Sequence, residues 1–561
     1  MAATGVWKYP SMAAGPATDV ADLLAVAAAE DPDRQAIVDS GGRRMTWGEL
    51  EDEVGRLATG LGAAGIVAGH RVLVAMGNRI EFVTSYLAIL RTQAVAVPVN
   101  PSSQSGELAR MIADSGSRLV LADADTVTAV RGAVRALEEA RAAEHPAGSI
   151  EADLVARLVV PRVVVVGGTL QPGERSYDHL RAESARAVPP LQDPEKLAAL
   201  LYTSGTSGRP RAAMLTHRAL LANIEQVAAV EPAMIHGDDV VLGVLPLFHV
   251  YGLNAVLGVV MRHRAKLVLT SRFEPQGALD LIEDEACSVV PVAPPVFAYW
   301  REVDGLRDRL GPVRLMLSGS APLSPELAAE FSELTGIPIH QGYGLTEASP
   351  VVTSTLCSQR LQPGSVGAAL PGIEIRLVDE TGRTPDGEDA GEIQIKGANL
   401  FSGYWPDGAD GPDHEGWWST GDVGFLDAGG DLFLVDRLKE LVIVSGFNVY
   451  PVEVEEVIRE VPGVAEAAVI GVDDPSTGEA VVAYVVAAVP DAGSDTGSDA
   501  GSDTGSVADA VRAHCEQRLA RFKQPSRIEV VSELPVGVTG KVQKGRLRGM
   551  ERRRALGLLE Q

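Results

Sequence analysis

Residues 202–217, YTSGTSGRPRAAMLTH, concentrate groups that could hold a polyanion. Thr203, Ser204, Thr206 and Ser207 offer hydroxyl donors, while Gly205 and Gly208 let the backbone turn tightly and expose N–H groups. Arg209 and Arg211 add positive charge, and Pro210 restricts their separation. The apolar run KLAALLYT precedes this loop, and THRALLANIEQVAAV reads as a helix with Thr216 as its N-cap. Strand, loop and helix in that order favour phosphate binding, although the same residues would also serve a solvated turn. The segment has no Gly-Lys-Ser/Thr ending of a Walker A loop, and it is not a GxGxxG fingerprint.

Five further residues could do chemistry, and each has an ordinary alternative. Glu347 in YGLTE is a hard oxygen ligand or a solvated carboxylate, and Asp422 in STGD is a two-acceptor group or a turn cap. Arg437 in DRLKE is an anion contact or a surface ion pair. His249 lies in PLFHVYGL, where a core histidine satisfied by its neighbours is equally reasonable. Lys541 in TGK is a reactive-site cation or a lysine in a C-terminal turn. Cys287, Cys357 and Cys515 lie far apart and supply neither a zinc pattern nor a disulfide framework, which favours a reducing compartment.

The elements that must position these groups alternate in a regular way. HRVLVAMGN, VVVVGG, KLVLTSRF, SVVPVAP and VRLMLSGSAPL are short β-like runs ending in loops, with helical patterns between them. That alternation predicts parallel sheets covered by helices, with sites at strand ends. From about residue 365 the pattern turns to alternating strands, GIEIRLVDE, GEIQIKG and DLFLVD. The expected fold is therefore a large α/β region with stacked sheets and a β-rich subdomain over 1–439. A small α+β C-terminal domain follows over 440–561. The duplicated DAGSDTGSDAGSDTGS, residues 491–506, cannot build a core and reads as a disordered insertion near 491–507. Residues 240–261 contain no Asp, Glu, Lys or Arg, yet Pro246, His249 and Asn254 favour a strand, a pocket loop and a core helix over a membrane span.

The 561 residues are 46% hydrophobic, enough for substantial cores, and carry a net charge of −26. That balance argues against a general nucleic-acid binder and against attraction to anionic membranes. A cytoplasmic location is expected, with peripheral contact at the inner face of the membrane and homo-oligomerisation left open.

Five segments in order make a specific signature: YTSGTSGRPRAAMLTH, YGLTE at 343–347, STGD at 419–422, DRLKELVIVSGFNVYPVEVE at 436–455 and TGKVQK at 539–544. Together they resemble the adenylate-forming (acyl-CoA synthetase) superfamily, of the fatty-acid–CoA ligase type, over roughly residues 20–555. The resemblance implies ATP, Mg²⁺ and coenzyme A as co-substrate. It implies that residues 203–208 cradle phosphate, with Thr346 also on the nucleotide. Glu347 binds the magnesium, Gly342 and Tyr343 shape the adenine slot, and Asp422 takes the ribose hydroxyls with Arg437 beside it. His249 and Gly319 border the acyl pocket, and Lys541 bridges the carboxylate and the α-phosphate. Lys439 is the hinge of a mobile C-terminal domain, and Gly446 lies on the loop facing coenzyme A. The chain departs from the family where Arg211 stands for the usual lysine and Ala212 for the usual glycine, so the guanidinium is a substitute of different geometry.

The implied reaction joins a fatty acid to CoA through an acyl-adenylate. An aryl or short-chain acid ligase, and a ligase that delivers the acyl group to a carrier protein, share much of the signature. A noncatalytic nucleotide- or acyl-binding protein is the alternative of another class.

Overall fold

The computed structural model describes residues 17–143, 158–203, 210–321, 323–379, 382–385, 390–437, 440, 442–444, 447–474, 477–488, 503–519, 521–536 and 541–555. One seven-stranded sheet runs in the spatial order Arg175–Ser176, Arg162–Val166, Leu119–Asp123, Arg71–Ala75, Val95–Pro98, Leu197–Thr203, Arg211–Thr216. A second runs Ile339–Gln341, Leu315–Ser318, Val289–Val292, Val240–Gly243, Lys266–Leu269, Gln35–Asp39, Arg44–Thr46. Both are parallel except for the last pair of each.

The strands are near-continuous runs of Val, Leu and Ile because both of their faces are covered. Leu57, Phe82 and Leu220, on helices Trp47–Ala63, Ile80–Arg91 and His217–Ala228, share one buried cluster with Val72, Leu121 and Leu201 of the first sheet. Ile37, Val241 and Leu267 of the second sheet join the same cluster, so this helical layer lies between the two sheets. Separate clusters cover the outer faces, around Leu73 and Ile112 on one and Val268 and Phe297 on the other.

A four-stranded antiparallel sheet follows, Ile373–Val378, Gly391–Gly397, Trp417–Leu426 and Leu432–Arg437. The C-terminal sheet has the order Phe447–Val449, Val442–Val444, Gly478–Ala487, Val464–Asp474, and Arg527–Val531 also pairs with Gly478–Ala487. Helices Pro451–Arg459 and Asp503–Arg518 cover one face through Val454, Ile458, Val511 and Cys515, and Leu547 of helix Lys544–Ala555 covers the other. Lys544 reaches the buried Glu455 at 2.8 Å and Glu440 at 3.1 Å, tying this last helix to the start of the domain.

Three local features differ from the expected pattern. Residues 211–216 form a strand, so the glycine loop joins two arms of a hairpin and does not lead straight into the helix. The strand pairs on both edges. Trp405 N–H donates to the Ala212 carbonyl at 2.9 Å and Met214 N–H to that of Gly403 at 3.0 Å, and its small Ala212 and Ala213 are buried. Residues 251–258 form a π-helix, Tyr251–Gly258, that continues into helix Val259–His263. Finally, helix Asp503–Arg518 starts inside the duplicated segment, whose residues 491–502 lie outside the described set. Among the described residues no helix is long and apolar enough to cross a membrane.

Thr216 caps helix His217–Ala228 as expected, its Oγ1 accepting from Ala219 N–H at 3.1 Å. Thr216→Ala is expected to destabilise the protein by about 1 kcal/mol, while Thr216→Ser retains most of the stability. The urea midpoints of the two variants check this, and equal midpoints would contradict it.

Candidate active site

At the loop end of the hairpin, Thr203 and Arg211 are register partners, and Thr203 Oγ1 donates to the Arg211 carbonyl at 3.4 Å. Ser204, Gly205, Thr206, Ser207 and Gly208, which join the two arms, lie outside the described residues. Arg211 pairs with Asp410 at 2.8 Å, and its guanidinium sits 3.8 Å from the centroid of the Tyr404 ring. The Tyr404 hydroxyl in turn donates to Glu347 Oε1 at 2.6 Å. Burial, and then the neighbouring Glu347 carboxylate, push the Tyr404 hydroxyl well above the ordinary phenol range, so it stays protonated and donates.

Glu347 is 8% exposed and lies on the short 3₁₀ turn Thr346–Ala348, with Thr346 half-buried beside it. Phe401 N–H donates to the Glu347 carbonyl at 2.9 Å, and Asn399 Nδ2 to that of Ala348 at 2.7 Å. Residues 399–405 therefore fasten the Glu347 turn to the hairpin arm that bears Arg211. Among the described residues no three His, Cys, Asp or Glu side chains are grouped to hold a metal ion. The single buried carboxylate of Glu347 suits one position on a hard cation whose other ligands come from nucleotide oxygens and water.

Asp422 and Tyr343 form a second pair, with the phenol donating to Asp422 Oδ2 at 2.6 Å. Both are largely buried, and their backbones are fixed by Thr353 Oγ1, 3.1 Å from Tyr343 N, and Thr420 Oγ1, 3.1 Å from Asp422 N. A Cβ at Gly342 would lie 2.6 Å from the Thr353 carbonyl oxygen, so no side chain fits there. Asp422 is the register partner of Arg437 across two antiparallel strands. A ring held edge-outward beside an acceptor carboxylate can border a base and its sugar together.

The third group surrounds His249, half-buried in the loop after strand Val240–Gly243. Tyr251 N–H donates to His249 Nδ1 at 3.3 Å, which places the ring proton of the neutral form on Nε2. Burial and then the Lys541 ammonium push His249 down to about 4. Lys541, the second cause of that downward shift, is exposed on the C-terminal segment. Gly319 packs against Tyr251, where a Cβ would meet the ring at 2.6 Å. Lys439 and Gly446 lie outside the described residues.

The structure thus links Arg211 to Glu347 through Tyr404 and joins Tyr343 to Asp422, while the Lys541 ammonium is the second cause that holds His249 down. Tyr404, Asp410 and Tyr251 were not among the sequence candidates. NLFSGYW and PLFHVYGL carry aromatic residues that read equally well as core packing, so their sequence signal was weak.

Two family models match the chain, the AMP-binding enzyme over residues 24–405 and the AMP-binding enzyme C-terminal domain over 453–541. The 4-coumarate–CoA ligase 5 of Oryza sativa subsp. japonica is 31% identical, covering 93% of this chain and 92% of that protein. The long-chain-fatty-acid–CoA ligase of Bacillus subtilis (strain 168) is 30% identical, covering 94% and 93%. ATP-bound MatB from Rhodopseudomonas palustris is 31% identical, with a TM-score of 0.80 over 95% of this chain and 99% of that one; its apo form gives 0.70. Adenylate-forming CoA ligases use ATP, Mg²⁺ and coenzyme A. With both family models matched in order and relatives aligned over nearly the whole length, the chain belongs to the AMP-binding, adenylate-forming enzyme family.

Proposed function

We propose that the protein is an AMP-forming acid–CoA ligase whose acid is a fatty acid. The observation that carries the acid–CoA ligase reading is the link from Arg211 through Tyr404 to Glu347, and the apolar π-helix, with Tyr251 hydrogen-bonded to His249 and packed on Gly319, supports a fatty acyl group. A carboxylate is already ionised near neutral pH, so it needs no general base. Its obstacle is repulsion from the α-phosphate and the lack of a leaving group. The carboxylate oxygen attacks the α-phosphorus, the bond to the β-phosphate breaks, and pyrophosphate leaves. Lys541 offsets the negative charge that gathers between the two oxyanions, and Arg211 with residues 203–208 holds the departing phosphates. Glu347 would hold a magnesium ion, which when bound would supply further charge neutralisation for the phosphates. Asp422 and Arg437 fix the ribose, Gly342, Tyr343 and Thr346 border the nucleotide, and His249, kept neutral, shapes the mouth of the acyl pocket.

In the second step the CoA sulfur attacks the acyl carbon, the thiol proton passes to solvent, and AMP leaves. Lys541 has no use at that stage, while the thiol needs a route in. Rotation of the C-terminal domain about Lys439 meets both needs by withdrawing Lys541 and presenting the loop of Gly446.

A second reading, an aryl acid, is favoured by one feature. The Tyr251 ring lies directly on Gly319, narrowing that wall with an aromatic face. The 4-coumarate relative aligns as fully as the fatty-acid one. A panel of fatty and aryl acids, assayed with CoA and with no acceptor, separates the readings. The favoured one predicts thioester from fatty acids with the highest kcat/KM. Aryl-CoA alone would support the second reading, retained adenylate without thioester would indicate a carrier-protein acceptor, and absence of both would indicate a binding protein.

Lys541→Ala is expected to lower acid-dependent pyrophosphate formation by about 10²–10³-fold while ATP still binds, as for loss of a group acting on transition-state charge. An undiminished rate would remove Lys541 from the chemistry. Lys439→Pro is expected to preserve adenylation and slow thioester formation in separately measured half-reactions; equal losses would contradict the hinge.

The His249 titration gives a further check. Its folded value of about 4 lies below the ordinary 6.5, so the unfolded chain takes up this proton first. Its contribution to stability is therefore intact above pH 6.5 and is lost as the pH falls toward 4. Lys541→Met removes one of the two depressing influences, and NMR titration of His249 should move upward. An unchanged midpoint would mean that the ammonium does not face this ring.

A further inference from the structure

The hairpin arm and the Glu347 turn are joined by one side chain that the reading above leaves without a part. We propose that Tyr404 is a positioning residue that couples the phosphate-binding arginine to the cation-binding carboxylate. The proposal rests on the nucleotide roles given to Arg211 and Glu347.

Both ends of Tyr404 are engaged. Its hydroxyl donates to Glu347 Oε1 at 2.6 Å, which fixes the rotation of that carboxylate, and its ring face lies 3.8 Å under the Arg211 guanidinium. The ring itself is held. Phe401 packs edge-on at 5.0 Å and 78°, Tyr404 N–H donates to the Ala409 carbonyl at 2.9 Å, and its own carbonyl accepts from Gly408 N–H at 2.8 Å. A bridge to Ala213 anchors the backbone to the strand that bears Arg211. A shift at either partner is therefore transmitted through a rigid ring.

This geometry also gives a reason for arginine at 211. A planar guanidinium can lie flat on the ring and still pair edge-on with Asp410, 2.8 Å away, whereas an ammonium cannot match both surfaces. Asp410 is exposed, so incoming phosphate oxygens can compete for that edge while the ring keeps the guanidinium in plane. The π-face attraction and the hydrogen bond act on different partners, so they can be removed separately.

Tyr404→Phe keeps the ring and removes the hydroxyl, whereas Arg211→Lys keeps the hydroxyl and removes the stack. Calorimetry of ATP binding with and without Mg²⁺, in the absence of acid, reads the two effects apart. Tyr404→Phe should bind Mg²⁺-free ATP like the wild type and lose about tenfold of the Mg²⁺-dependent gain, the scale of one hydrogen bond to a charged group. Arg211→Lys should weaken ATP binding both with and without Mg²⁺ and, because it frees the ring that orients Glu347, also reduce the Mg²⁺-dependent gain; an unchanged gain would contradict the coupling. Melting temperatures taken alongside show whether each variant is folded; if Tyr404→Phe is not, Tyr404→Trp and Arg211→Lys carry the comparison, the former again losing the Mg²⁺-dependent gain. A wild-type gain in a folded variant lacking the hydroxyl would overturn the coupling. Wild-type protein that binds no ATP would instead overturn the activity reading, and the coupling with it.

Discussion

In the proposed reaction the Lys541 ammonium must reach the carboxylate and the α-phosphate while belonging to the C-terminal segment, and that demand would constrain the rest of the molecule. A cation is useful beside two approaching oxyanions only when water is largely excluded, because screening weakens it. It is harmful if left there while a thiol needs entry. The large region supplies a half-buried loop that leads into a π-helix, and the C-terminal segment supplies an exposed lysine just before helix Lys544–Ala555. Lys544, bound to Glu455 and Glu440, fixes the helix that starts three residues beyond Lys541.

The proposed reaction also needs a rigid frame for a triphosphate. Parallel strands buried on both faces end at loops that need not contribute to the core, and those loops carry the polar groups. The frame is tightened by cross-links between segments distant in sequence. Tyr343 reaches Asp422, and Tyr404 reaches Glu347. Each is a phenol donating to a buried carboxylate at 2.6 Å, so each carboxylate is satisfied in part before any ligand arrives. Preorganisation of this kind lowers the reordering needed when nucleotide binds.

The layered fold was legible because buried parallel strands leave unbroken apolar runs, and the Thr216 cap because hydroxyl caps precede amphipathic helices. The second hairpin arm was not. RAAMLT has little β-branched character, and its strand state comes from pairing with Leu197–Thr203 on one edge and 402–405 on the other. Strand Arg211–Thr216 separates the glycine segment from the helix that starts at His217, so the phosphate role proposed for that segment does not draw on this helix's dipole. Among the site residues, those inside short signatures were readable one by one. Their mutual pairing was not, since Tyr343 and Asp422 lie 79 positions apart and Tyr404 looks like any core aromatic. The helix starting at Asp503 likewise gains its order from packing Val511 and Cys515 on the sheet, which composition alone does not reveal.

A crystal structure with a nonhydrolysable acyl-adenylate mimic tests the central claim most directly. The account predicts the ribose hydroxyls on Asp422, the acyl chain passing His249 and Gly319, and Lys541 Nζ within about 3 Å of the bridging oxyanions. A mimic bound away from these residues, or Lys541 turned from it with the adenylate pocket closed, would contradict the account.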